Sequence, residues 1–287
     1  MKKKFIILGN TGFVGKNLEK YILDRYKNSS IYGFGSKKID LTKSKETKKL
    51  SKLINKNTYI FFLSFNKTQR NASISDLEKN FYIIKNVCNI FKINKPKKII
   101  FFSTQSVYGE DTDNNNTTEL TLPDPTSFYG IAKYLAERVL KKVCNDNKIN
   151  YVIARIPRVY GEGDFEENYG PTKFLHHFIK KKPLTIWGDG KEKRDYIFIN
   201  DLNKIILKLC FKKFSGTVNV CSGKSFSFLQ IIKILEKITS GKIKILNKKR
   251  SRKKVNHIMN NKKLINLLGG FKFTSLEKNL SNLYDNR

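Results

Sequence analysis

The chain reads as an α/β protein, a doubly wound parallel sheet with a smaller C-terminal mixed α/β lobe. Three observations predict it. The first half alternates short apolar strands with amphipathic helices. Those strands are apolar almost throughout, as expected when both faces of a parallel sheet are covered. The first strand, Lys4–Leu8, runs straight into a glycine-spaced turn that opens a helix.

In chain order, further strands are predicted at Ser30–Phe34, Thr58–Ser64, Lys98–Ser103 and Tyr151–Arg155. Helices are predicted at Lys16–Tyr26, Lys45–Asn55, Ile74–Phe91 and Ser127–Cys144. Asp111–Pro125 is polar, carries Asn114-Asn115-Asn116 and two prolines, and reads as a loop over a site. The second half is less regular. Gly188-Asp189-Gly190 is a turn, Asp201–Phe211 a helix and Thr217–Cys221 a strand. Ser227–Thr239 is a helix with Ser227 as N-cap, and Lys262–Leu268 is a helix stopped by Gly269-Gly270.

Composition excludes several classes. At 287 residues the chain can bury a core as one large domain or two modest ones. No apolar run reaches the roughly 20 residues of a membrane span. Met1-Lys2-Lys3-Lys4 precedes an apolar stretch too short for a signal peptide, so a cytoplasmic protein is expected. Cys88, Cys144, Cys210 and Cys221 show no C-x-x-C spacing and read as reduced structural thiols; no metal pattern is present. The formal charge of +33 invites nucleic acid as a partner. Lys outnumbers Arg roughly five to one, however, as AT-rich coding would leave on tolerant surface positions. The densest cluster, Lys248-Lys249-Arg250-Ser251-Arg252-Lys253-Lys254, is short, and no nucleic-acid-binding motif is present. We therefore expect no nucleic-acid partner; a basic surface would instead steer an anionic small substrate.

The glycine turn is Gly9-Asn10-Thr11-Gly12-Phe13-Val14-Gly15, spaced G-x-x-G-x-x-G. Such a turn suits a dinucleotide pyrophosphate. Its first glycine permits the tight turn, its second lets backbone approach the phosphates, and its third lets helix and strand pack closely. The helix N-terminus adds free N–H groups and partial positive charge. Downstream, Tyr129-Gly130-Ile131-Ala132-Lys133 sets a phenol and an ammonium four residues apart, on one helix face. A nearby ammonium favours the phenolate and lowers the pKa of an otherwise poor base. Ser103-Thr104-Gln105-Ser106 places hydroxyls at the end of a buried strand, where open α/β sheets bind ligands.

These motifs, in this order, resemble the extended short-chain dehydrogenase/reductases of the NAD-dependent epimerase/dehydratase family, whose members mostly act on nucleotide sugars. The resemblance runs nearly end to end and implies a Rossmann domain over 1–164, with a return of about 196–222. It implies a discontinuous substrate-binding lobe over 165–287. Thr104, Tyr129 and Lys133 fall on the family's catalytic residues. Cofactor contacts are implied for Gly9, Thr11, Gly12, Phe13, Val14, Gly15, Ser36, Lys37, Asp40, Leu41, Leu63 and Ser64, with Tyr129, Lys133, Ile156 and Pro157. Asn80 resembles a structural asparagine. Substrate contacts are implied for Gln105, Ser106, Arg158, Lys173, Trp187 and Arg194, the last as a partner of the nucleotide diphosphate. A homodimer is implied, with Ile74–Phe91 and Ser127–Cys144 as candidate contact helices.

Departures from the family's pattern bear on the reaction. Gln105 and Ser106 stand where 4,6-dehydratases carry an acid–base pair, and neither shuttles a proton at neutral pH, which argues against 4,6-dehydration. Arg158 replaces a common asparagine, either as a contact to a phosphate or acidic sugar or as a structural ion-pair partner. An NAD site usually carries an acid about 20 residues beyond its glycines. Here Gly33-Phe34-Gly35-Ser36-Lys37-Lys38 has none before Asp40, which favours NADP(H) and leaves NAD(H) open. The leading expectation is a nucleotide-sugar epimerase working by reversible hydride transfer at C4. An NADPH-dependent 4-ketosugar reductase is the alternative, and a silent cofactor-binding regulator is the alternative of another class.

Overall fold

The structure, a computed structural model, describes residues 2–66, 73–164, 170–250 and 253–286. In chain order its elements are β1 (Lys4–Leu8), α1 (Phe13–Arg25), β2 (Ser30–Phe34), α2 (Ser44–Lys48), β3 (Thr58–Phe62), α3 (Ile74–Ile93), β4 (Lys98–Thr104), β5 (Asn114–Thr117), α4 (Phe128–Asp146) and β6 (Asn150–Ile156). There follow β7 (Arg158–Tyr160), α5 (Pro171–Ile179), β8 (Leu184–Trp187), β9 (Lys193–Phe198), α6 (Ile199–Phe211), β10 (Gly216–Asn219), β11 (Ser225–Ser227), α7 (Phe228–Thr239), β12 (Ile245–Lys248), β13 (His257–Met259), α8 (Lys262–Leu268) and α9 (Leu276–Asp285).

The chain divides into two compact units. The first comprises Met1–Glu110, Leu122–Arg155 and Ile205–Val218; the second comprises Asp111–Thr121, Ile156–Lys204 and Asn219–Arg287. The expected boundary at 164 thus falls inside a segment of the second unit, and the return to the first unit is shorter than 196–222.

The first unit is built on a parallel six-stranded sheet ordered β10-β6-β4-β3-β1-β2, the Rossmann arrangement. β1 lies between β2 and β3 in register, with Leu8 opposite both Phe34 and Phe62. Every residue of β3 is buried, because helices cover both faces. One cluster on this sheet joins Ile6, Ile60, Phe62 and Phe101 to Ile84, Val87 and Phe91 of α3 and to Ala136 and Leu140 of α4. The strand order reverses on either side of β1, so the ends of β1 and β3 form a switch point, where such sheets bind ligands.

The second unit carries a sheet ordered β11-β9-β13-β5, with β7 also paired to β9, and a separate β12-β8 pair. Its core packs Phe174, Leu175 and Phe178 of α5 with Ile231, Ile232 and Leu235 of α7 and Leu276 and Leu280 of α9. α7 begins as expected: Ser227 Oγ accepts from Gln230 N at 3.2 Å, and Gln230 Oε1 accepts from Ser227 N at 2.8 Å.

Two segments depart from the sequence expectation. The helix expected over Lys45–Asn55 is α-helical only over Ser44–Lys48 and tightens to a 3-10 turn over Lys49–Leu53. Thr47 Oγ1 donates back to the Lys43 and Leu41 carbonyls, which competes with the helix ladder. Inside the expected loop 111–125, Asn114–Thr117 forms β5. Asparagines are poor strand formers, but β13 pairs with them, His257 opposite Asn114 and Met259 opposite Thr117.

Candidate active site

In the first unit the turn after β1 is drawn tight. Gly9 N donates to the Phe34 carbonyl at 2.7 Å, and Gly9 has φ +96°. A Cβ on Gly15 would stand 2.1 Å from the Gly9 carbonyl oxygen, so a side chain cannot replace that hydrogen. The Leu8 carbonyl accepts from both Leu63 N and Ser64 N at 2.9 Å, which brings Leu63 and Ser64 beside Gly9. Gly12 caps α1 without a side chain, and the first turn holds no acid. The amides of Phe13, Val14 and Gly15 therefore have no capping side chain, and Thr11 is exposed. Asn10 Oδ1 is buried without a hydrogen-bond partner, while its Nδ2 donates to Glu19 at 2.9 Å. This turn fits a dinucleotide pyrophosphate.

After β2 stands Gly35, where a Cβ would lie 2.4 Å from the exposed Thr11 side chain, so that a larger residue there would need Thr11 to move. Ser36, Lys37 and Lys38 are exposed, and Lys38 Nζ donates to the Gly33 carbonyl at 3.3 Å over the Phe34 ring. Asp40 is committed to its own turn. It accepts from Thr42 N and Oγ1, and the hydroxyl bond leads in holding its carboxyl below the usual range. Leu41 is buried, with its carbonyl on Asn86 Nδ2. Asn80, on α3, brackets Asn66 with bonds to its N–H and its carbonyl, at 2.7 and 3.0 Å.

The structure brings α4 against the end of β4. Lys133 Nζ donates to the Phe102 carbonyl at 2.7 Å and lies over the rings of Phe65 and Phe101. One turn earlier, a Cβ on Gly130 would lie 3.0 Å from the Ser106 carbonyl oxygen and 2.9 Å from Pro125. Glycine there lets the first turn of α4 sit on residues 106–110. Thr104 lies between these two contacts, and its Oγ1 accepts from Ser106 N at 3.2 Å. Gln105 Oε1 is buried without a partner.

Glu110 was not singled out in the sequence. Its carboxylate accepts from Thr126 N at 3.0 Å and from the Ser127 hydroxyl, and Ser127 Oγ in turn caps Gly130 N at 3.0 Å. Burial first, and then the Glu110 charge, push the Tyr129 phenol well above the usual tyrosine range. The only sequence signal for Glu110 was its place just after Tyr108-Gly109.

Ile156, Pro157, Arg158, Lys173, Trp187 and Arg194 lie in the second unit. Ile156 ends β6, Arg158 opens β7 opposite Tyr196 of β9, and His257 of β13 is opposite Arg194. Arg194 is buried. Its Nη1 donates to the Lys193 carbonyl at 3.0 Å and to the Val255 carbonyl, and Glu192 lies 3.7 Å away. Burial and then the Arg158 charge push its guanidinium down to about 10. Arg158 Nη1, Arg194 Nε and the Tyr196 hydroxyl are buried without hydrogen-bond partners among the described residues. A further guanidinium, Arg250, pairs with Asp189 at 3.1 Å and with Glu192. The sequence showed it only as part of a lysine-rich run. Lys173 is half-buried on α5, and Trp187 is exposed with Lys248 Nζ 5.5 Å from its ring centre. No group of metal-ligating side chains and no helix long and apolar enough to cross a membrane occurs among the described residues.

Comparison with known proteins agrees with this architecture. A GDP-6-deoxy-D-talose 4-dehydrogenase from Aggregatibacter actinomycetemcomitans is 27% identical over 99% of this chain and 98% of its own length. Two solved structures, each 23% identical, share the fold. UDP-glucose 4-epimerase from Thermotoga maritima, solved with UDP-glucose, superposes with a TM-score of 0.84 over 98% of this chain and 97% of that one. UDP-glucuronic acid 4-epimerase from Bacillus cereus, solved with UDP-glucuronic acid and NAD, superposes with a TM-score of 0.83 over 98% of both chains. The model of the NAD dependent epimerase/dehydratase family matches residues 5–221, and the chain belongs to that family.

Proposed function

We propose that this chain is a nucleotide-sugar epimerase that works by reversible hydride transfer at C4 of the sugar. The observation that supports it is the pinning of α4 to the end of β4 on either side of Thr104, through Lys133 on Phe102 and Gly130 on Ser106. When bound, NAD(P) supplies reversible hydride acceptance. Gly9, Thr11, Gly12, Phe13, Val14 and Gly15 would hold its pyrophosphate. Leu63, Ser64, Asp40 and Leu41 would line it further along, with Ile156 and Pro157 as added contacts. Tyr129 takes a proton from the C4 hydroxyl and returns it. Thr104 donates to the same oxygen, since its own Oγ1 already accepts from Ser106 N. Lys133 binds ribose hydroxyls and favours the phenolate. Gln105, with its unpartnered Oε1, accepts from a sugar hydroxyl, and Ser106 adds a second contact.

The substrate is a nucleoside diphosphate sugar. Three buried donors, on Arg158, Arg194 and Tyr196, that find no acceptor among the described residues suit a polyanion. Lys173 and Trp187 complete the substrate contacts. Mass spectrometry of the cofactor that copurifies with the protein tests the reading: tightly held NAD(P) supports an epimerase. A protein that is empty and consumes NADPH supports the second reading, a 4-ketosugar reductase. That reading is favoured by the full-length relative named a 4-dehydrogenase. Exposed Ser36 and Lys37, with no acid at Gly35, favour NADP(H) in either case.

The proposed partner is a second copy. Ile74, Phe81 and Tyr82 of α3 and Phe128, Ile131 and Leu135 of α4 are exposed apolar side chains, and those of α4 follow an i, i+3, i+7 face. Light scattering should give a dimer, lost in Ile131→Asp/Leu135→Asp. The four free buried thiols suit a cytoplasmic setting.

A further inference from the structure

Below Thr104, the tie between β4 and α4 continues through a buried charged cluster. Glu137, one turn beyond Lys133 on α4, is 3% exposed. Arg155 of β6 grips it with a fork: Nε lies 3.0 and 3.2 Å from its two oxygens, and Nη2 lies 2.6 Å from Oε2. Ser103 Oγ donates to Glu137 Oε1. On its other side, the Arg155 guanidinium stands 4.6 Å from the centre of the Tyr108 ring. Ser103, Tyr108 and Arg155 are all buried, and Ser103 and Tyr108 bracket Thr104-Gln105-Ser106-Val107.

Stability alone does not account for such a cluster. Desolvating two charges is costly, and well-packed apolar replacements of similar volume are often neutral or stabilising. What a bidentate guanidinium–carboxylate pair supplies is fixed geometry. Two consecutive residues of β4 bond to two residues four apart on α4: the Phe102 carbonyl to Lys133, and Ser103 to Glu137. Sliding the helix along its axis breaks both bonds together. Arg155 then fixes Glu137 from the neighbouring strand and packs on the turn that follows Thr104.

We propose that the Glu137–Arg155 pair, acting through Ser103 and Tyr108, is a positioning device that sets the axial register of α4 against β4. In doing so it sets where Tyr129 and Lys133 meet Thr104. The inference rests on the assignment of those three residues made above. Glu137 and Arg155 touch neither substrate nor cofactor in it; they act through the residues that do.

The test compares turnover, KM, cofactor affinity and thermal midpoint in three variants. Ser103→Ala cuts the helix-to-strand bond and leaves the ion pair whole. It should lower kcat about tenfold, with sugar KM and cofactor Kd within about twofold of wild type, since small misplacements of reacting groups cost up to ~10²-fold. Glu137→Gln leaves Arg155 buried without its counter-charge and should lower kcat about 10²-fold along with the thermal midpoint. The double variant Glu137→Leu/Arg155→Met removes both charges at similar volume. It should recover the midpoint but not kcat. If kcat recovers together with the midpoint in the double variant, and Ser103→Ala turns over like wild type, the pair is structural only and the proposal is overturned. Tyr129→Phe separates the two levels. If it turns over normally, the catalytic assignment itself fails; if it is inactive while Ser103→Ala and the double variant are normal, the positioning proposal alone fails.

Discussion

The Lys133 ammonium stands 5.9 Å from the centre of the Tyr129 ring while its proton bond goes to the Phe102 carbonyl. The lysine is therefore anchored by the strand, with its charge near the tyrosine ring. Burial and then the Glu110 charge push the phenol up. Tyr129→Phe keeps the ring packing and removes the proton. It should bind cofactor normally and lose at least ~10²-fold in turnover, the scale of a general acid/base. Near-normal turnover of the purified variant would remove Tyr129 from the mechanism.

Glu110→Gln tests the effect of the Glu110 charge. The glutamine keeps an acceptor for Thr126 N and Ser127 while the negative charge disappears. A like charge raises a phenol's pKa, so its removal lowers it. The rising limb of kcat/KM against pH should then move to lower pH. A profile that is unmoved, or moved upward, contradicts the proposed coupling of Glu110 to Tyr129.

Arg194 has two duties in the proposed reading, and its variants should separate them. Its Nη1 ties β9 to Val255, while its Nε lacks a partner. Arg194→Ala should raise KM for the nucleotide sugar by ~1.5–3 kcal/mol, the worth of a charge-assisted hydrogen bond, and leave cofactor affinity unchanged. Because Arg158 holds no comparable backbone carbonyl tie among the described hydrogen bonds, Arg158→Ala should weaken substrate with less loss of thermal midpoint. Titration showing weaker cofactor and unchanged substrate binding would remove Arg194 from the diphosphate.

Much of this was legible in the sequence, for physical reasons that differ by region. The central strands of the first unit, β1, β3 and β4, are buried and largely apolar, and the glycine turn is marked by Gly9 and Gly15, where a side chain has no room. Tyr129 and Lys133 carry their spacing on one helix. The second unit hid its strands. β7, β11 and β13 have three residues each, and β9 begins Lys193-Arg194-Asp195, a charged start that reads as surface although Arg194 and Asp195 are buried by their partners. Arg250 and Glu110 were invisible for a related reason: their roles depend on partners far along the chain or on a turn whose shape the sequence does not announce.

Cofactor preference should turn on Lys37 more than on Lys38. Lys38 already spends its ammonium on the Gly33 carbonyl and the Phe34 ring, whereas Lys37 is exposed beside Ser36. Changing both to alanine should weaken NADP(H) by roughly 1–3 kcal/mol and leave NAD(H) almost unchanged, with Lys37→Ala accounting for most of the loss. High salt should shrink the wild-type preference in the same direction. Equal weakening of both cofactors would reduce these lysines to solvated surface.

Asp195 should give the fold a pH dependence opposite to that of most carboxylates. It is fully buried on β9; Ser222 Oγ donates to its Oδ1 at 2.9 Å, and its Oδ2 has no hydrogen-bond partner. Burial pushes its carboxyl up to about 7, from 3.8 for the unperturbed group. The folded chain thus holds a proton that the unfolded chain releases above about pH 4. This contribution is present in full below the unfolded value and is lost as pH rises, until it is gone above the folded value. The three-unit span corresponds to an upper bound of roughly 4 kcal/mol at about 1.4 kcal/mol per unit. Asparagine cannot ionise, so Asp195→Asn should remove the slope between about pH 4 and pH 7. The amide placed where Oδ2 now stands will need an acceptor, which lowers the whole curve by a constant and leaves the slope argument intact. Urea unfolding across that range checks it. The variant should start below wild type at low pH and gain on it as pH rises, so that the curves converge or cross toward pH 7, whereas parallel curves would show that Asp195 ionises alike in both states.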